Sequence, residues 1–151
     1  LRGAEDAFSC GLLHDIGKVV LYVKWPDVGQ RITAVTRNTS QPLMDVEQEL
    51  FEVTHADVGG WLASAWHLPT SLREPILHHH TPAAAQDAKL QTAIVHVADV
   101  LVKGLACGNP GDNLVPPLSR SAWDLVGLDA QSLAHSLAQA TEEFQTIDDY
   151  L

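Results

Sequence analysis

The longest stretch of regular hydrophobic spacing runs from residue 87 to 107. Leu90, Ile94, Val97, Leu101 and Leu105 fall on one helical stripe, and Val95, Ala98, Val102 and Ala106 fall on a second. This pattern predicts a helix that is apolar on two faces and therefore central. The same period predicts helices over residues 4–15, 26–38, 43–53, 55–67, 71–80, 119–127 and 130–146. Val19 to Val23 is the one strand-like run, and its length fits either the continuation of a buried helix or an extended connector. The fold class read from the pattern is all-α, with helices in more than half of the residues and no sheet of three or more strands.

Polar residues mark several of the ends. Thr54 with Asp57, and Ser71 with Glu74, have the spacing of capping boxes. In "HHHTP" the proline disfavours helical geometry at Thr81, which leaves His78, His79 and His80 on the last turn of a helix. The segment 108–117, "GNPGDNLVPP", reads as a loop. It divides a helical core, 1–107, from a C-terminal helical extension, 108–151, expected to pack on the same domain.

The chain of 151 residues carries nineteen acidic and nine basic side chains, a formal charge of -10. Without a basic cluster to neutralise several phosphates, duplex nucleic acid is not an expected partner. No apolar run has the ~18 residues of a membrane span. Cys10 and Cys107 lack CxxC spacing and read as small core residues in a reducing, cytoplasmic setting. The first residues lack the form of a secretory signal and the initiator methionine, so a piece of a longer protein is expected.

Some polar residues interrupt the apolar pattern. In "FSCGLLHDIGKVVLYV" an imidazole and a carboxylate, His14 and Asp15, are adjacent within a segment built for burial. Asp99 lies in the second stripe of the central helix, and a buried carboxylate must be matched by a cation, by donors or by a metal. Lys103, four residues on, offers a purely structural partner. His55 shares a helix face with Val58 and Leu62 and points inward. His79 and His80 differ by 100° on a helix, so they serve one cavity only if it offers two neighbouring points, as a pair of metal ions ~3.5–4 Å apart does. Imidazole nitrogen and carboxylate oxygen without thiolate suit divalent metal ions such as iron, manganese, zinc, magnesium or nickel.

Taken together, "GLLHDIGK", "THADVGGWLASAWHLP", "PILHHHTP" and "IVHVAD" resemble the successive motifs of the HD superfamily. Their order and spacing are most similar to its HDOD branch of bacterial signalling domains, over residues 5 to 105. The resemblance implies an HD-type helical bundle with a site for one or two metal ions. It implies as ligands His14, Asp15, His55, His79, His80 and Asp99, with His78 outside the set, and it matches Lys18 to the lysine that follows the HD pair. The related HD-GYP phosphodiesterases carry a Gly-Tyr-Pro motif where this chain reads "HHHTPAAAQDAKL", which argues against hydrolysis of cyclic di-GMP. A further ligand upstream of the HD pair in HD enzymes is either outside these residues or absent. Two functions follow from the resemblance. One is a regulatory binding module with a protein partner in a signalling pathway. The other is a phosphohydrolase acting on a small phosphorylated nucleotide, in which Asp15 bridges the metals and Lys18 stabilises developing charge.

Overall fold

The computed structural model describes residues 2–39, 41–106, 112 and 114–148. Helix α1, Arg2–Leu13, stops one residue before the HD pair, and α2, Ile16–Lys24, starts directly after it. His14 and Asp15 therefore form a turn between two helices, not the end of one helix. The Val19–Val23 run is helical within α2. Gly17 and Leu21, one turn apart, are buried, whereas Val19 and Val23 face outward. Hydrophobicity on every side had hidden the period.

Helix α2 crosses α5, His55–Ala65, at close range. A Cβ at Gly17 would run into the backbone carbonyl of His55 and lie 2.8 Å from the Gly59 nitrogen. Only glycine admits this approach, and it sets the HD turn beside the first residue of α5. The start of α5 is fixed as the sequence predicts: Thr54 accepts from the Asp57 backbone N–H, and Asp57 accepts from the Thr54 backbone N–H at 2.8 Å.

Helices α3, Pro26–Asn38, and α4, Leu43–Phe51, enclose a small core of Ile32, Leu43 and Val46. Helix α4 ends at Glu52 in the left-handed conformation, φ 60°. Helix α6, Thr70–His78, contains Pro75. That proline lacks the N–H that would close on the Ser71 carbonyl. The buried Cys10 thiol donates to this oxygen at 3.2 Å, which gives the core cysteine a definite role. The expected Ser71–Glu74 capping box does not form, because the helix begins one residue earlier, after Pro69, with no side-chain cap. Glu74 instead accepts from the backbone N–H groups of Gln86, Asp87 and Ala88 and anchors the loop after a short 3-10 turn, Pro82–Ala84.

Helix α7, Lys89–Gly104, packs against α1, α6 and α8, the last spanning Arg120–Val126. Ala93, Val97 and Ala122 form the α7–α8 core. The prediction of two buried stripes on α7 needs correction. Thr92, Ala93, Val95, His96, Val97 and Val100 are buried, while Leu90, Ala98, Val102, Leu105 and Ala106 are exposed. The helix is covered on one broad side, by partners that sequence period does not reveal. Helix α9, Ala130–Asp148, follows. Cys107 and half of the predicted loop, residues 108–111 and 113, lie outside the described residues. Every regular element among the described residues is helical, so the all-α expectation holds, and none is long and apolar enough to cross a membrane.

Candidate metal centre

The HD turn directs its two side chains toward the start of α5 and the end of α6. Asp15 divides its oxygens between two tasks. Oδ2 accepts from Lys18 Nζ at 2.7 Å. Oδ1 faces His55 Nε2 at 3.3 Å and His79 Nε2 at 3.7 Å, and it is buried without a hydrogen bond. Burial pushes the Asp15 carboxyl up, but His14, Lys18 and His55 outweigh it and hold the group below the usual carboxylate range.

Backbone and carboxylate acceptors fix the imidazole tautomers. A carbonyl oxygen can only accept, so His14 donates through Nδ1 to Gly11 at 2.7 Å, and His79 through Nδ1 to Ile76 at 2.9 Å. His55 donates through Nδ1 to Glu47 Oε2 at 2.6 Å. With Nδ1 engaged in each ring, Nε2 of His14, His55 and His79 faces the same space around Asp15. Nε2 of His14 and Nε2 of His79 are buried and have no hydrogen-bond partner. Burial, and then repulsion from the neighbouring His80, His55 and His14, pushes His79 well below its ordinary value. Burial, His55 and Lys103 push His80 down to about 3. Both rings are thus neutral near pH 7, the form that ligates metals.

His79 and His80 do not sit on the last helical turn. Helix α6 ends at His78, and the two rings belong to the turn that follows. Their ring centroids lie 4.0 Å apart. His80 Nε2 lies 2.9 Å from His55 Nε2. Two groups result, His55–His79–His80 and His14–Asp15–His79, each with ligand atoms within 4.8 Å of one another and joined through His79. Asp99 Oδ1 stands 3.9 Å from His14 Nε2, while its Oδ2 is 3.7 Å from Lys103, so the residue flanks the cluster and also faces the lysine. All seven predicted residues, His14, Asp15, Lys18, His55, His79, His80 and Asp99, are brought together. His78 stays outside, on the Glu74 side of α6.

The residues present fit a metal ion. His79 Nε2 and Asp15 Oδ1 are both acceptors, they face each other, both are buried, and neither has a donor. Such an arrangement is unfavourable unless a cation lies between them. Donor separations of 2.9–3.7 Å suit neighbouring ligands on one ion with bonds of about 2.0–2.2 Å.

A family model for the HDOD domain matches residues 1–82, more than half of the chain. The chain belongs to the HDOD family. The match covers the HD turn, His55 and the double histidine and ends before Asp99, which α7 supplies. This HDOD chain is also similar to an uncharacterized protein of Treponema pallidum (strain Nichols), 25% identical over 138 residues. The alignment spans 91% of this chain and 26% of the Treponema protein, so the chain spans about a quarter of its relative. No solved structure matches it.

Two residues of the HDOD site escaped the sequence reading. Glu47 is 1% exposed and holds His55 by both its ring and its backbone N–H. Its signal was present, since Leu43, Val46, Glu47 and Leu50 share one apolar face of α4. His96, also buried, donates through Nδ1 to the His79 carbonyl at 2.7 Å and accepts the Ser119 N–H on Nε2 at 3.0 Å. Nothing in the local pattern distinguishes it from an ordinary core histidine.

Proposed function

We propose that this HDOD domain is a metal-dependent regulatory module of a bacterial signalling pathway, holding one or two divalent ions and acting on a protein partner. His14, Asp15, His55, His79 and His80 would hold the metal, with Asp99 beside His14. The observation that supports this most directly is the buried, donor-less pair of acceptors, His79 Nε2 and Asp15 Oδ1. Glu47 adds support, because a carboxylate behind a ligating histidine fixes its tautomer and raises its basicity. Metal analysis by plasma mass spectrometry tests the reading. Purified protein, loaded with Mn²⁺ or Fe²⁺ and dialysed, should retain about one to two ions per chain. Retention of none by a folded protein would end it.

A second reading, phosphohydrolase activity on a nucleotide, is favoured by Lys18, which ties Asp15 Oδ2 and leaves Oδ1 facing the imidazoles. Bound metal would supply an acidified water and charge stabilisation. Within the chain, Lys18 would orient Asp15 and place a positive charge beside a phosphoryl group. Metal-dependent phosphate release from a nucleotide panel, lost in Asp15→Asn, would support it. No turnover by metal-loaded protein leaves the regulatory reading.

A further inference from the structure

A cavity of about 400 Å³ opens beside the histidines and ends on His55, His80 and Lys103. That volume is in the range of small-molecule sites. Leu43 and Met44 of α4 line part of it, and residues 114–117, Leu-Val-Pro-Pro, line another part. This second wall is pinned at both ends. Asp112 accepts the Leu43 N–H at 2.6 Å, and the Ser119 N–H donates to His96 at 3.0 Å. The strap is therefore a built wall that reaches the metal-ligating loop through His96 and the His79 carbonyl.

The lining has an unusual chemical bias. No side-chain hydroxyl or amide is present among its described residues. Asp112 spends its oxygens on the Leu43 and Leu114 N–H groups, which leaves Asp45 as the remaining carboxylate. Sugar hydroxyls and base edges would find few partners here, and desolvating them unpaired is costly. At the inner end, Lys103 is only 8% exposed, and its nearest carboxylate oxygen, on Asp99, is 3.7 Å away, beyond a hydrogen bond. A largely buried ammonium whose nearest carboxylate stands beyond hydrogen-bond distance favours one compact anionic group.

We propose that this cavity binds an amphipathic organic anion, a single carboxylate or phosphoryl head set against Lys103 and His80 with an apolar body between α4 and the 114–117 strap. The proposal rests on the regulatory reading, since it names the ligand class that the module senses; His55 and His80 border both the pocket and the metal cluster, whereas Lys103, α4 and the 114–117 strap belong to the pocket without being metal ligands. Full-length protein, with and without Mn²⁺, is titrated calorimetrically with octanoate, phenylphosphonate, inorganic phosphate and adenosine monophosphate. Octanoate or phenylphosphonate should bind at least roughly tenfold tighter than the other two. The member that binds tells a carboxylate head from a phosphoryl one. Lys103→Met and Lys103→Gln should each weaken that binding roughly tenfold or more, through loss of a charge-assisted contact. Val115→Trp, at an exposed wall position, should fill the cavity and abolish binding while metal content and thermal unfolding stay unchanged. Tighter binding of adenosine monophosphate, no binding of either amphipathic anion, or undiminished binding in Val115→Trp would overturn the proposal. Metal retention without anion binding would sink this inference alone, and anion binding without metal retention would sink the metal reading alone.

Discussion

Glu47 and His55 are joined twice: one carboxylate oxygen accepts both the His55 backbone N–H, at 2.8 Å, and its ring Nδ1–H, at 2.6 Å. Helix α4 thereby satisfies an N–H that the first turn of α5 leaves unpaired, and it turns the His55 Nε2 lone pair toward Asp15. Glu47→Ala should cost roughly 2–4 kcal/mol in urea unfolding, because two buried donors lose their acceptor. Metal affinity should fall roughly 10–100-fold. Glu47→Gln retains one acceptor oxygen and should lose less stability than Glu47→Ala. Equal metal binding in all three proteins would show that the carboxylate does not set the ligand.

Asp15 tests the centre itself. Asp15→Ala removes the anion that faces His55 and His79, so retained metal should drop to roughly a tenth or less at limiting ion concentration. His79→Ala should do the same, since His79 belongs to both ligand groups. Plasma mass spectrometry after dialysis measures both. His78→Ala, on the same segment, should retain wild-type metal.

The crossing of α2 and α5 depends on missing side chains. Gly17→Ala forces a methyl group into the His55 carbonyl, and Gly59→Ala places one 2.8 Å from Ile76 Cγ2. Backbone yields less readily than a side-chain terminus, so Gly17→Ala should be the more damaging, by at least ~1–3 kcal/mol. Thermal unfolding of the two variants tests the order. Gly104→Ala meets open space and should be neutral or slightly stabilising.

Acid should destabilise the metal-free protein at a definite place. His79 and His80 have folded values below the ordinary 6.5, so below that pH the unfolded chain takes up protons that the folded chain refuses. Their contribution is complete above about pH 6.5 and is lost as the pH falls, for His80 down to about 3. Asp15, also lowered, adds a loss of the same sign below 3.8. Urea unfolding in EDTA should therefore show stability declining by roughly 1 kcal/mol or more per pH unit between pH 6 and 4. A flat profile would mean that the two rings are not held neutral by burial.

Local chemistry was enough for part of this. The capping box at Thr54, the inward His55, the glycine and proline stops and the all-helical period are nearest-neighbour properties, written in residues that lie within a turn of each other. The motif residues were legible for the same reason, since each occupies a short segment of distinctive composition. Where the period was saturated, as in Val19–Val23, sequence left two answers open, and only the close approach at Gly17 decides which face of α2 is buried. Convergence of His14, Asp15, His55, His79 and His80 required the helix packing, because no local rule relates residues 65 positions apart. Glu47 and His96 show this most clearly. Each looks locally like a lone polar residue in an apolar helix, and only packing reveals that one orients His55 and the other ties the His79 carbonyl to the start of α8.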